Sequence, residues 1–171
     1  RVMRNKIVAG NWKMNTNLKE GIELAASLVS HLKNVKLDDA SRVIIAPPFT
    51  HLSSISNIDR DLVLLASQNC AAEEKGAYTG EISPEMLKDL GADAAIIGHS
   101  ERRQIFGESV GLINQRITGA LKFGLTVVFC IGETLEERES EQTLSVLEKQ
   151  VKGGLDGVSA EQMSQVVIAY E

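Results

Sequence analysis

The sequence AAIIGHSERR at Ala94–Arg103 joins a short apolar run to a glycine, a histidine and a charged segment. The run Ala94–Ile97 predicts a β-strand, and the residues after His99 predict the start of a short helix. The same order recurs along the chain: an apolar run, then polar residues, then an amphipathic stretch. Strands that are apolar throughout are typical of a parallel sheet covered by helices. The pattern therefore predicts an α/β fold.

Six strands and the helices between them follow from this pattern. The strands are predicted at Lys6–Gly10, Arg42–Ala46, Leu62–Ser67, Ala94–Ile97, Leu125–Cys130 and Gln165–Tyr170. The helices are predicted over Leu18–Lys33, after Pro47 and Pro48 with Thr50 as the cap, and over Pro84–Leu90, Val110–Phe123 and Leu135–Lys152. Periodicity alone does not separate a doubly wound sheet from a (β/α) barrel. With no linker or low-complexity tract, residues 1–171 are predicted to form a single domain.

The composition excludes several classes of protein. The 171 residues carry a net charge of −5 with both signs interspersed, which argues against nucleic acid or an anionic membrane as partner. No apolar run reaches the roughly 18 residues of a membrane span. The N-terminus lacks a secretory pattern, so we expect a cytoplasmic location and two reduced, mostly buried thiols, Cys70 and Cys130. Without a dinucleotide, P-loop or zinc motif, we expect no cofactor and no metal.

Polar residues follow five of the six predicted strands. Parallel strands place their carboxyl ends on one face, where ligands bind in α/β proteins. We therefore expect a site for a small anionic substrate there. The residues are Asn11 and Lys13 after strand one, Gln68 and Asn69 after strand three, His99 after strand four, Gly132 and Glu133 after strand five, and Glu171 after strand six.

Taken singly, these residues support ordinary structural roles as well. Lys13 is typical of a surface ion-pair partner, and His99 fits a hydrogen-bonded structural histidine as well as a catalytic one. Cys130 has no base near it in sequence, which favours a buried thiol over a nucleophile. His31 and His51 are predicted at solvated helix and loop positions.

Five segments follow or open predicted strands, in this order: AGNWKMN at Ala9–Asn15, GAYTGEISPEML at Gly76–Leu87, IGHSERR at Ile97–Arg103, CIGETLEERE at Cys130–Glu139 and VVIAYE at Val166–Glu171. Together they resemble the triosephosphate isomerase family. The resemblance covers essentially the whole chain, and "GNWKMN" and "GHSERR" are its most specific parts. It implies a (β/α)8 TIM barrel that works as a homodimer. It also implies interconversion of dihydroxyacetone phosphate and D-glyceraldehyde 3-phosphate through an enediolate, without a cofactor.

The resemblance also implies roles for individual residues. Glu171 is the base that moves a proton between adjacent carbons, and His99 is the electrophile that polarises the carbonyl. Lys13 supplies positive charge to the phosphate and the enediolate, and Asn11 positions the substrate oxygens. Glu101 is similar to the family's carboxylate partner of Lys13.

Two further residues are expected to take supporting roles. Thr79 lies in a segment similar to the loop that docks into the other subunit, and Cys130 is expected to support the site.

These roles agree with elementary chemistry. Removing a proton next to a carbonyl creates an enediolate, so the site needs a base and hydrogen-bond donors at the developing oxyanion. His99 stands just before a predicted helix start, where the partial positive charge of backbone amides favours the neutral imidazole. A neutral histidine is a known property of this family, and the resemblance extends it to His99.

The length differs from the family pattern. A (β/α)8 barrel has roughly 250 residues, whereas this sequence holds about the first six β/α units. If the chain ends at Glu171, we expect two open edge strands, no lid after the glutamate and little or no activity, because the last two strands and their phosphate-binding loops are missing. The intact mass would establish where the chain ends.

Two other hypotheses remain beside the isomerase. One is a catalytically inactive, truncated barrel fragment that folds or acts only with a partner chain. The other is a different (β/α)-barrel enzyme for sugar phosphates, since fold alone does not fix function.

Overall fold

The computed structural model describes residues 6–60 and 62–171. Their contacts divide into two compact units. The first contains the chain up to Gln68 together with Asp89–Ala94, and the second contains Asn69–Lys88 and Ala95–Glu171. None of the described helices is both long and apolar enough to cross a membrane. The prediction of one domain over residues 1–171 stays a prediction.

The first unit contains three parallel strands and two helices. The strands follow one another in the sheet in chain order, and Asn11 at the end of the first strand is level with Ala46 at the end of the second. The elements are β1 (Lys6–Asn11), α1 (Leu18–Lys33), β2 (Ser41–Ala46), α2 (Phe49–Ser56) and β3 (Val63–Ser67).

Helix α1 begins where its sequence provides a capping box. The Asn17 side chain accepts a hydrogen bond from the Glu20 N–H, and the Glu20 carboxylate accepts one from the Asn17 N–H. Two amides that the helix leaves unpaired are thereby satisfied. Ala25 and Val29, one turn apart, are buried on its inner face.

The second unit contains three further strands with helices between them, except that the last residue of α3, Asp89, and the first of β4, Ala94, belong to the first unit. The strands again follow one another in the sheet in chain order, and β5 and β6 are parallel, with Ile131 level with Tyr170. The elements are α3 (Pro84–Asp89), β4 (Ala94–Ile97), α4 (Ser100–Gln104), α5 (Val110–Lys122), β5 (Thr126–Ile131), α6 (Leu135–Glu139), α7 (Thr143–Gly154), a 3-10 turn (Gln162–Gln165) and β6 (Val166–Tyr170).

The core of the second unit lies around β4 and β5. Every residue of β4 is buried, as are all residues of β5 after Thr126. Helix α5 buries Ile113 and Ile117, which are one turn apart and fully inaccessible to solvent. The alternation of strands and helices confirms the α/β prediction, and each observed strand differs from its predicted bounds by no more than one residue.

One predicted helix is wrong. Leu135–Lys152 was expected to be continuous, but the structure has two helices, α6 and α7, separated by a turn in which Glu141 has a φ of +58°. A left-handed residue ends a helix because it turns the chain away from the axis. Leu135 and Leu144 lie within the predicted range, yet they are 71% and 82% exposed. They therefore mark no buried helix face.

The surroundings of α2 also differ from the prediction. The helix begins at Phe49 after Pro48, with no side-chain cap, and the Thr50 hydroxyl lies 2.8 Å from Nδ1 of His51 instead. His51 was predicted at a solvated position but is only 3% exposed. Its Nε2 lies 3.1 Å from the Thr16 hydroxyl. A buried histidine is tolerated here because both ring nitrogens have partners.

Asp93 fixes the start of β3 within the first unit. One carboxylate oxygen accepts hydrogen bonds from Nη1 of Arg60 at 2.9 Å and from the buried Leu65 N–H at 2.8 Å. We predict that Asp93→Ala lowers the free energy of unfolding by about 2–3 kcal/mol, because the buried Leu65 N–H loses its acceptor and the largely buried Arg60 guanidinium loses its carboxylate partner, keeping only backbone carbonyl oxygens. Urea unfolding would measure the loss.

The matched control is Asp59→Ala. Asp59 pairs with Lys33 at 3.0 Å, but both side chains are more than half exposed. We expect this substitution to cost less than about 1 kcal/mol, as is usual for surface ion pairs. Equal losses for the two variants would contradict the assignment of Asp93.

Candidate active site

His99 is positioned by the turn that ends β4. Gly98 has a φ of +79°, which L-residues with a side chain rarely adopt. A Cβ at this position would also lie 2.9 Å from Nη2 of Arg103 and 3.2 Å from the Cys130 carbonyl oxygen. The chain therefore needs glycine here to turn from the strand into α4, with His99 as the N-cap residue.

The contacts of the imidazole assign its tautomer. Nδ1 of His99 accepts a hydrogen bond from the Glu101 N–H at 3.1 Å, and Nε2 lies 3.0 Å from Oε1 of Glu171. Since Nδ1 accepts, the ring proton of the neutral imidazole is on Nε2 and is donated to Glu171. The Glu101 carboxylate lies farther away, at 3.4 Å from Nδ1. The His99 side chain is only 13% exposed.

Glu171 follows β6 and is held by both its backbone and its side chain. Its N–H donates to the Ile131 carbonyl oxygen at 2.9 Å, which continues the pairing of β5 with β6 by one residue. Its second carboxylate oxygen accepts from the Ser100 N–H at 3.1 Å. His99 and the Ser100 N–H thus contact different carboxylate oxygens, and the side chain is 29% exposed. A carboxylate with this accessibility is able to exchange a proton with a bound molecule.

Arg103 connects the ends of β4 and β5 behind this pair. Its Nε donates to the Gly98 carbonyl oxygen at 2.7 Å, and Nη2 donates to the Cys130 carbonyl oxygen at 2.9 Å. Burial of the guanidinium lowers the pKa of Arg103. Burial, followed by the nearby charge of Glu171, raises the pKa of the Cys130 thiol to about 12. The thiol is therefore neutral and contributes no charge at neutral pH.

Glu133, which follows β5, forms a cluster beside Glu171. Its carboxylate accepts from Nε of Arg138 at 2.8 Å, and both carboxylate oxygens lie 2.9 Å from the Tyr170 hydroxyl. Arg138 also donates to that hydroxyl at 2.7 Å. The hydrogen bond from Arg138 is the main reason that the pKa of Glu133 is lowered to about 2. Because Tyr170 directly precedes Glu171, the cluster restrains the chain next to the carboxylate pair.

Asn11 and Lys13 lie in the first unit. The Asn11 side chain accepts a hydrogen bond from the Lys13 N–H at 2.9 Å, and Gln68 donates to the Lys13 carbonyl oxygen at 2.8 Å. Lys13 has a φ of +55°, a left-handed backbone conformation that is costly for lysine. The two hydrogen bonds to its peptide groups hold it in that conformation. Strained residues held by their surroundings are typical of functional sites.

The predicted residues fall into two groups. The structure brings His99, Glu101, Cys130 and Glu171 together at the ends of β4, β5 and β6, within the second unit. Asn11 and Lys13 lie together at the end of β1 in the first unit, and Thr79 lies in an exposed loop of the second unit.

Sequence reasoning did not predict a role for Arg103 or Tyr170. Arg103 lies in the IGHSERR segment near His99, and Tyr170 lies in the VVIAYE segment next to Glu171. Their closeness in sequence to predicted site residues was the only indication of a role. Among the residues that the structure describes, no cluster of three or more His, Cys, Asp or Glu side chains is arranged to hold a metal ion.

Both cysteines are predicted to be unreactive in the folded protein. Cys70 and Cys130 are 1% and 4% exposed, and burial raises both thiol pKa values to about 12. Since the thiolate is the reactive form, a disulfide reagent at pH 8 should label neither residue under native conditions and both in guanidinium chloride. Rapid native labelling of either cysteine, resolved by peptide mass spectrometry, would contradict this.

Comparison with known proteins identifies the family. A family model described as "Triosephosphate isomerase" matches residues 6–171. The triosephosphate isomerase of Geotalea uraniireducens (strain Rf4) is 46% identical over 170 residues, covering 99% of this chain and 66% of the relative. Those of Herpetosiphon aurantiacus and Chloroherpeton thalassium are each 48% identical and are covered to 67% of their length. The chain spans about two thirds of the length of the curated relatives it matches.

The six strands and their helices correspond to part of the (β/α)8 barrel of these relatives, which confirms the predicted fold class. With the family model matching all but the first five residues, the chain belongs to the triosephosphate isomerase family.

Proposed function

We propose that the protein carrying this chain is a triosephosphate isomerase that interconverts dihydroxyacetone phosphate and D-glyceraldehyde 3-phosphate. Family membership supports the reaction, and the observation that carries the assignment of residues is the His99–Glu171 pair. The Glu171 carboxylate lies 3.0 Å from the protonated Nε2 of a neutral imidazole, so a base and a proton donor are close enough to contact the same small substrate.

In this proposal Glu171 is the base. Its carboxylate removes a proton from the carbon next to the substrate carbonyl, the C–H electron pair forms the enediolate double bond, and the carbonyl oxygen gains negative charge. The same carboxylate then returns the proton to the neighbouring carbon. Substrate and product are isomers, so the reaction needs no oxidant or reductant.

His99 acts on the oxygens. Nε2 carries the proton because Nδ1 is occupied by the Glu101 N–H, so Nε2–H is the group that donates to the developing oxyanion. Nε2 gives its proton to that oxygen and takes the proton of the neighbouring hydroxyl, so the proton moves from one oxygen to the other and the imidazole returns to its starting state. A neutral imidazole donor suits this step, because an enediolate is basic enough to share its proton.

Lys13, Asn11 and Glu101 complete the proposed site. Lys13 supplies positive charge to the substrate phosphate and the enediolate, and Asn11 orients substrate oxygens. Two hydrogen bonds support this assignment, because they fix the backbone of the residue that carries the charge: the Lys13 N–H donates to the Asn11 side chain, and Gln68 donates to the Lys13 carbonyl oxygen. Glu101 is proposed as the carboxylate partner of Lys13, and the neutral Cys130 thiol supports the packing beneath Glu171.

We also propose that the protein is a cytoplasmic homodimer in which Thr79 lies at the subunit interface. The Thr79 loop is exposed, and the second unit also exposes three large apolar side chains. Tyr78, next to Thr79 in the chain, is 49% exposed, and Ile105 and Phe106, just after α4, are 71% and 64% exposed. Apolar residues of this size at the surface are typical of protein interfaces. Sedimentation equilibrium of the full-length protein would distinguish a dimer from a monomer, and cell fractionation would test the location.

We predict that Glu171→Gln lowers kcat for triose phosphate isomerisation by about 10²- to 10⁴-fold, because an amide does not accept the substrate proton. The measurement is a coupled assay on the full-length protein. Glu136→Gln is the matched control, since Glu136 is an exposed glutamate on α6 and should leave kcat unchanged.

Two outcomes would overturn the proposal. One is an unchanged kcat in Glu171→Gln, which would exclude Glu171 as the base. The other is faster turnover of the wild-type protein on a different aldose–ketose phosphate pair, which would assign a different substrate.

A further inference from the structure

Gln150 pairs with the backbone of Gly132 through both ends of its side-chain amide. Its Nε2 donates to the Gly132 carbonyl oxygen at 2.9 Å, and its Oε1 accepts from the Gly132 N–H at 2.9 Å. Gln150 lies on α7 and is 8% exposed. One carboxamide therefore satisfies both peptide groups of a single residue at the end of β5, as a neighbouring strand would.

Gly132 is in close contact with the backbone of Glu171. A Cβ at position 132 would lie 2.6 Å from the Glu171 carbonyl oxygen and 3.5 Å from its carbonyl carbon and nitrogen. The preceding residue, Ile131, accepts the hydrogen bond from the Glu171 N–H. Only glycine leaves room for the Glu171 carbonyl at this distance, so the two backbones are in direct contact. The position of the Glu171 backbone therefore depends on Gly132, since a shift of Gly132 would disturb both this contact and the hydrogen bond to the adjoining Ile131.

Helix α7 itself is closely packed, which fixes Gln150. A Cβ at Gly154 would lie 2.3 Å from the Phe129 ring on β5, and one at Gly153 would lie 2.4 Å from Val110 on α5. Helix and strand thus approach each other as closely as glycine permits. Gln150 stands one turn earlier on the same helix, so its amide is presented to Gly132 from a rigid element.

We propose that Gln150 is a positioning residue for the catalytic glutamate. It holds Gly132 and, through Gly132, the backbone of Glu171, so that the carboxylate stays within 3.0 Å of Nε2 of His99. This inference rests on the proposed function, in which Glu171 is the base. A misplacement of about 1 Å at a reacting group costs on the order of 10²-fold in rate, so even a small displacement should be measurable.

The test is Gln150→Met in the full-length protein, because methionine keeps the length of the side chain and loses both hydrogen bonds. We expect kcat to fall about 10- to 100-fold while KM stays within about twofold, since a misplaced base slows proton transfer more than it weakens substrate binding. Gln150→Glu keeps an oxygen for the Gly132 N–H in either protonation state, so its loss should be smaller.

Asn114→Leu is the matched control. Asn114, on α5, also uses one carboxamide for two backbone contacts, but it donates to the carbonyl oxygens of Gly154 and Asp156 at the carboxyl end of α7 rather than to Gly132. It should destabilise the protein to a similar degree and leave kcat within about twofold of the wild type. A loss of kcat in Asn114→Leu equal to that in Gln150→Met would overturn the inference, because general destabilisation would then explain both.

A second measurement does not depend on turnover. The Nε2–H proton of His99, hydrogen-bonded to Glu171, should give an NMR signal that shifts or broadens in Gln150→Met and is unchanged in Asn114→Leu. An unchanged signal and unchanged kcat in Gln150→Met would overturn the inference. If the wild-type protein does not isomerise triose phosphates, the proposed function fails, and the His99 signal alone decides whether Gln150 positions Glu171.

Discussion

The geometry of the second unit depends on one guanidinium. Arg103 donates to the carbonyl oxygens of Gly98 and Cys130, which end β4 and β5, and so sets the distance between two strand ends. The arrangement is costly, because the charge is removed from water and its pKa is lowered. It also requires glycine at position 98, since a Cβ would occupy the space of the guanidinium. His99 follows directly, so its direction is a consequence of the same contact.

Glu171 is restrained from two sides by groups that do not belong to the proposed reaction. On one side the cluster of Glu133, Arg138 and Tyr170 holds the residue before it. On the other, Gln150 holds Gly132 against its backbone. A glutamate side chain has several rotatable bonds, and placing its carboxylate costs conformational entropy. Because the backbone of Glu171 is already fixed, only the rotatable bonds of its side chain lose conformational entropy when the carboxylate is placed.

The sequence predicted the strands and the residues at their ends because both depend on local patterns. Apolar runs define buried strands, and glycine or polar residues mark where they end. The continuous helix over Leu135–Lys152 was wrong because Glu141 adopts a left-handed conformation that separates two helices, and the pattern of apolar residues does not record such a turn. His51 was predicted to be solvated because nothing near it in sequence indicates burial. Its Nε2 lies against the Thr16 hydroxyl, 35 residues away.

The contacts that hold the candidate site were beyond prediction for a physical reason. Gln150 and Gly132 are 18 residues apart, and their pairing depends on where α7 begins and how closely it packs on β5. Arg103 reaches across to Cys130, 27 residues away. Neither distance is encoded by periodicity or by a turn motif. Motif resemblance predicted the reacting side chains, whereas the supporting hydrogen bonds appear only once the chain is folded.

The hydrogen bond between His99 and Glu171 has a consequence for ligands of the candidate site. The two groups that would grip a ligand satisfy each other in this structure, at 3.0 Å. A ligand inserted between them must first separate them, and a hydrogen bond to a charged group contributes about 1.5–3 kcal/mol. A compound that replaces only one of the two partners leaves the other unpaired and loses affinity. Compounds that offer an acceptor to the imidazole and a donor to the carboxylate recover both interactions, so tight binding selects bifunctional molecules over larger apolar ones.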